Sequence, residues 1–162
     1  VDTEVDKRLD KIGTERALAL RGKAAVANAR LAYAAFTEVV GTERWQRLER
    51  AGASRQRPLW ASTSVKNPDY PDTLYVSGLV APGTVNTMPE DTLEAFADHG
   101  QVGGDTITPN IGDARETMTA LEEVGVDFAD VTRVLEIQGV EAFATSWNDL
   151  LTSVAGKLEA LQ

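Results

Sequence analysis

Between Leu59 and Pro68 the chain reads Leu-Trp-Ala-Ser-Thr-Ser-Val-Lys-Asn-Pro, a short apolar run opening directly into hydroxyls, an ammonium and a carboxamide. Ser62, Thr63 and Ser64 offer O–H donors, Lys66 a compact positive charge and Asn67 an amide. That set suits an anion with several acceptor oxygens. Phosphate is the common biological case, with about two negative charges near neutral pH. The plain alternative is an exposed lysine in a Ser/Thr-rich surface turn.

What would make a site of these residues is the element that delivers them. Pro58 has no N–H and is tolerated at the first position of a strand or at an edge, and the Leu-Trp-Ala run after it is bounded by turn residues. This predicts a buried strand over Leu59–Thr63. A second strand-like run, Thr84–Met88, stops at Pro89. Between the two, Asp72 is a candidate N-cap for a short helix over Thr73–Leu79, and Glu90–His99 follows as the next helix. The alternation of strand and helix predicts a parallel pair in an α/β fold. In such sheets ligands gather beyond the carboxyl ends of the strands, where Ser64, Lys66 and Asn67 would stand. Asn86 and Thr87 end the second strand and either meet Lys66 across the pair or simply cap the sheet.

The remaining segments are predicted helices. Val5, Leu9 and Ile12 recur at helical spacing over Asp2–Ile12, with Asp2, Glu4 and Asp6 at the end where the helix dipole favours anions. Gly13 ends that helix. Thr14 begins an Ala-rich helix through Val40 in which Gly22 is a soft spot, and Glu43–Ala51 is a further helix closed by Gly52. Arg44, Arg47 and Arg50 form a basic stripe on it, read as a solvated face because Glu43 and Glu49 interrupt it. Gly103-Gly104-Asp105-Thr106 has no phosphate-loop pattern and reads as a turn. His99 precedes Gly100 at a helix end, where a cation is favoured without catalysis. Three helices complete the chain: Ile111 or Asp113 to Val124, Phe128–Gln138 and Gly139–Leu161. Val140, Phe143, Trp147, Leu150, Leu151, Val154, Leu158 and Leu161 give the last a face expected to pack on a barrel or sheet.

Composition sets the outer bounds. With 162 residues and 43% apolar content the chain can bury a core. It has no cysteine and one histidine, which leaves no disulfide, no thiolate metal site and no His-rich metal site. The formal charge of −9 argues against broad nucleic-acid binding, yet a cleft can focus the field of a few cations on a small phosphorylated ligand. No apolar run reaches membrane-spanning length and no signal-peptide layout opens the chain, so a cytoplasmic protein without membrane partners is expected. The opening Val1-Asp2-Thr3-Glu4-Val5-Asp6 lacks an initiator methionine, and a fragment or processed chain is expected.

Arg57-Pro58-Leu59-Trp60-Ala61-Ser62-Thr63, Val65-Lys66-Asn67-Pro68, Pro71-Asp72-Thr73-Leu74-Tyr75-Val76 and Thr84-Val85-Asn86-Thr87-Met88-Pro89 together closely resemble transaldolase, most of all its actinobacterial branch. The likeness extends over nearly the whole chain. It implies an eight-stranded α/β barrel, the (β/α)8 TIM barrel, of which residues 1–162 would be the C-terminal part, holding the last two strands and extensive C-terminal helices. The implied reaction is transfer of a dihydroxyacetone unit between sugar phosphates in the pentose phosphate pathway: sedoheptulose 7-phosphate and glyceraldehyde 3-phosphate give erythrose 4-phosphate and fructose 6-phosphate. It runs through a lysine Schiff base and implies no cofactor and no metal. The Schiff-base lysine and the acid/base carboxylates would lie on earlier strands, so no catalytic residue is expected in this chain, and the chain alone should be inactive.

The resemblance assigns the substrate's phosphate end to Ser64 and Lys66, with Thr63, Asn67 and Asn86 as candidate lining residues. Other branches carry arginine at the position of Lys66, and a lysine here gives up the bidentate fork. A second phosphate-binding arginine would precede Val1. Two further possibilities are a segment of a transaldolase and phosphoglucose isomerase fusion, and a non-catalytic helical interaction protein using its C-terminal apolar faces.

Overall fold

A computed structural model describes residues 1–160 of the chain. In chain order the elements are α1 (Asp2–Ile12), α2 (Glu15–Leu18), α3 (Ala24–Gly41), α4 (Glu43–Arg50), β1 (Leu59–Trp60), α5 (Leu74–Ser77), β2 (Val85–Asn86), α6 (Glu90–His99), a single 3-10 turn (Thr108–Asn110), α7 (Ile111–Glu123) and α8 (Phe128–Glu159). Helix therefore dominates, and the two short strands pair in parallel, as the alternation of elements predicted.

Two apolar clusters hold these elements. In the first, Val5 and Leu9 of α1 meet Ala17 of α2, Ala24 of α3, Leu121 of α7, Val126 of the connection after it and Val131 of α8. Val5 and Leu9 are four apart on one turn-to-turn face, and Gly13 closes that helix in the left-handed conformation (φ 69°), its N–H donating to the Leu9 carbonyl. In the second, Val26 and Tyr33 of α3 meet Leu79 and Ile107, with Trp60, Tyr75 and Phe36 packed around them. Helix α3 contributes to both clusters and so ties the sheet to the helical layer.

The Ala-rich segment departs from the continuous helix expected over Thr14–Val40. It breaks after α2 and restarts at Ala24, and Gly22 is the reason. Its φ of +71° is outside the helical range, its N–H donates to Asp6 Oδ1 at 3.0 Å, and a Cβ there would lie 2.8 Å from the Tyr70 ring. Thr14 does begin a helix, its hydroxyl accepting from Ala17 N. The C-terminal region departs in the opposite sense. Where two helices were predicted with a boundary at Gly139, α8 is one helix of 32 residues, about 48 Å long at 1.5 Å per residue. An isolated glycine costs a helix about 1 kcal/mol and does not by itself end it.

Nor does the apolar face of α8 find the expected packing. Val131 is buried, but Val140, Phe143, Trp147, Leu150, Leu151, Val154 and Leu158 are all exposed, Phe143 at 82%. Leu161, predicted to share that face, lies outside the described residues.

Gly22→Ala forces a β-carbon into both the left-handed backbone and the Tyr70 ring. We expect it to lower unfolding free energy by roughly 1–3 kcal/mol, read as a reduced urea midpoint with unchanged slope.

Candidate functional site

The β1–β2 pair sets Leu59 opposite Val85 and Trp60 opposite Asn86. Val85 N donates to Pro58 O and Thr87 N to Trp60 O, each at 2.9 Å. A regular parallel ladder would return the next bond from Ser62 to the Thr87 carbonyl. Instead Thr63 N makes it, at 3.2 Å, so β1 carries one extra residue there, a bulge. Ser62 absorbs it with φ 54°, a left-handed conformation uncommon outside glycine, and its N–H is taken by the Thr87 hydroxyl at 3.3 Å.

This bulge explains two departures from the predicted strand. Regular pairing stops at Trp60 rather than running to Thr63, and β2 is likewise limited to Val85–Asn86. Leu59, expected to be buried, is 52% exposed, because within the described residues the sheet has no third strand to cover it. Trp60 is better held, its indole N–H donating to Leu79 O at 3.0 Å.

Beyond the carboxyl end of β1 opens a cavity of about 930 Å³, walled on one side by the segment Ser62–Pro68 and on the other by α1. Thr63, Ser64, Lys66 and Asn67 all line it. Asn86 does not: its Oδ1 accepts the Thr63 hydroxyl at 2.7 Å, so it fixes the loop's root instead of meeting Lys66. Thr63 itself is 5% exposed. Lys66 is exposed and forms no ion pair among the described residues.

The opposite wall is acidic, and each carboxylate on it has a partner. Glu4 pairs with Lys7 and Arg8, which hold its carboxyl below the usual range. Asp10 faces the Arg21 guanidinium at 3.3 Å. Asp6 accepts the Tyr70 hydroxyl at 2.7 Å besides Gly22 N, and Asp2 accepts the Tyr75 hydroxyl at 2.6 Å and Ala25 N at 2.7 Å. Burial first, and donation to Asp6 second, push the Tyr70 phenol up to about 12; burial first, and donation to Asp2 second, raise Tyr75. Both tyrosines therefore remain O–H donors at neutral pH.

Sequence reasoning assigned Asp2 and Asp6 to the helix dipole alone and overlooked both tyrosines. The available signal was their four-residue spacing, which puts two carboxylates on one face of α1. Among the described residues no group of three or more His, Cys, Asp and Glu is placed to hold a metal ion.

His99 does not line the cavity. It closes α6 as expected, but Asp72, predicted to cap the following helix, is turned to it: Asp72 Oδ1 lies 2.9 Å from His99 Nε2, and α5 starts at Leu74 with no side-chain cap. Asp72 above all, then Asp98, raises the imidazole pKa, while His99 lowers that of Asp72. The raised histidine contributes fully below its ordinary pKa and is lost as pH rises through the raised value. The depressed aspartate contributes above its ordinary pKa and is lost as pH falls through the lowered one. The pair thus operates between these limits, and Asp72→Asn is expected to lower the His99 pKa in an NMR titration.

Comparison with known proteins adds the family context. A profile described as Transaldolase/Fructose-6-phosphate aldolase matches residues 1–154. The transaldolase of Parafrankia sp. is 64% identical over 158 residues, 98% of this chain and 43% of the relative. Those of Mycolicibacterium smegmatis and Thermobifida fusca are each 61% identical over 160 residues, 99% of this chain, and 43% and 44% of the relatives. The chain thus spans less than half the length of these relatives. No described helix is long and apolar enough to cross a membrane.

Proposed function

The chain belongs to the transaldolase/fructose-6-phosphate aldolase family, and from that premise we propose that it is the C-terminal part of a transaldolase, the portion that binds the phosphate end of the substrate. The reaction is the transfer of a dihydroxyacetone unit from sedoheptulose 7-phosphate to glyceraldehyde 3-phosphate, in the cytoplasm. The amine that forms the Schiff base belongs to a barrel strand outside these residues. The matches do not favour a fusion with an isomerase or a non-catalytic helical interaction protein.

The observation that carries the reading is the placement of Ser64 and Lys66 on one cavity wall beyond the carboxyl end of a parallel strand pair. A hydroxyl and an ammonium with no ion pair among the described residues can there meet phosphate oxygens with charge-assisted hydrogen bonds. The carboxylates opposite repel a phosphate, but Lys7 and Arg8 offset the charge of Glu4 and Arg21 that of Asp10, while the two tyrosine hydroxyls hold Asp6 and Asp2 in place.

Two features support a larger barrel around this segment. The sheet has two strands among the described residues, and barrels need closure to remove such edges. The exposed apolar face of α8 is also larger than a protein of this size ordinarily leaves uncovered. The remaining length of the relatives supplies a partner for both.

The test uses the Parafrankia transaldolase with its matched segment exchanged for this chain. Lys66→Ala should raise KM for glyceraldehyde 3-phosphate by about 10- to 100-fold, the range for losing a hydrogen bond to a charged group. KM for unphosphorylated glyceraldehyde should stay unchanged. Equal effects on both acceptors would remove Lys66 from the phosphate site, and transfer activity by residues 1–162 alone would overturn the division of roles.

A further inference from the structure

Apart from the adjacent Tyr70, the segment Ser64–Asp69 makes no hydrogen bond or ion pair to any other part of the chain among the described residues. Its polar contacts are internal: Asp69 N donates to Asn67 Oδ1 at 3.0 Å, and Tyr70 N to Asn67 O at 3.2 Å, closing a tight turn. Such a loop is only as fixed as its two ends. One end is Thr63, buried and bonded to Asn86 and Thr87 across the strand pair. The other is Tyr70, which immediately follows the turn. Its ring lies against Gly22, where a Cβ would come within 2.8 Å, and its hydroxyl donates to Asp6 Oδ2 at 2.7 Å. Asp6 is itself buried and held by Gly22 N at 3.0 Å.

We propose that Tyr70 is a positioning residue for phosphate recognition: through its hydrogen bond to Asp6 it pins the far end of the Ser64–Asp69 loop to α1 and so fixes Lys66 at the cavity wall. The inference rests on the phosphate-binding reading of Ser64 and Lys66. Tyr70 does not bind the anion itself, because its one hydroxyl hydrogen is already given to Asp6. It acts by reducing the conformations Lys66 samples before the ligand arrives, so that less ordering remains to oppose binding. Tyr75 and Asp2 make the parallel connection one helical turn earlier on α1. These two bonds are the side-chain hydrogen bonds that join α1 to the Ser62–Leu79 region among the described residues.

The experiment is a double-mutant cycle in the same exchanged transaldolase. Tyr70→Phe keeps the ring on Gly22 and removes only the hydroxyl. Expected is a rise of about tenfold in KM for glyceraldehyde 3-phosphate, no change in KM for glyceraldehyde, little change in kcat, and no further rise when Lys66→Ala is already present. A tyrosine that merely stabilises the fold would move both acceptors alike. If Lys66→Ala raises KM selectively and Tyr70→Phe does not, or if the two effects simply add, the positioning role is overturned while the phosphate site stands. If neither variant discriminates between the acceptors, the phosphate site falls and the positioning role with it. Should Tyr70→Phe fail to fold, Asp6→Ala removes the acceptor that the hydroxyl meets and must give the same selective rise, or the role is overturned.

Discussion

Everything distinctive about the cavity wall begins where the backbone ladder between β1 and β2 takes in one residue too many. Up to Trp60 the pairing is regular; then Ser62 turns left-handed and Thr63 makes the bond that Ser62 would have made. The bulge does two things at once. It ends the strand, and it seats a buried Thr63 hydroxyl on Asn86, giving the loop that follows a rigid point of departure. A strained serine backbone costs about 1–3 kcal/mol and persists only where its surroundings over-determine it. Here the Thr87 hydroxyl and carbonyl hold both flanking amides.

The second constraint lies in α1. Its carboxylates could be taken as ornaments of the helix dipole, but Asp2 and Asp6 are buried and reach across to Tyr75 and Tyr70. Each also receives a backbone N–H from the α2–α3 region, so the helix N-terminal half, the break at Gly22 and the loop after β1 are joined through two side chains. A phenol O–H given to a buried carboxylate satisfies a charge that would otherwise be costly to leave unpaired. The cavity is thereby left with Lys66 as a cation that faces it without an ion-pair partner among the described residues, a local positive point in a protein of net charge −9.

Local signals in the sequence recovered much of this, and the failures share a cause. Gly13 and Thr14 follow from capping chemistry within a few residues, and the parallel pairing from the order of elements. The position of Ser64 and Lys66 beyond the carboxyl end of a strand was legible because hydroxyls and an ammonium follow an apolar run. Gly22 was legible only as a soft spot and not as a break, since the break is set by Tyr70, 48 residues away, and the bulge was not legible, since it is defined only against Thr87. Gly139 misled in the other direction, because a glycine's helix penalty is smaller than what the rest of a 32-residue helix supplies. The Asp–Tyr bonds connect positions 64 and 73 residues apart, which no periodicity reports.

The account reduces to the claim that a phosphate group binds between Ser64 and Lys66. A crystal structure of the exchanged transaldolase with a bound sugar phosphate tests it most directly. The phosphate oxygens should lie within about 3 Å of both Ser64 Oγ and Lys66 Nζ, with the Tyr70–Asp6 bond intact beneath the loop. A phosphate seated elsewhere in the barrel, with Lys66 in solvent, would contradict it.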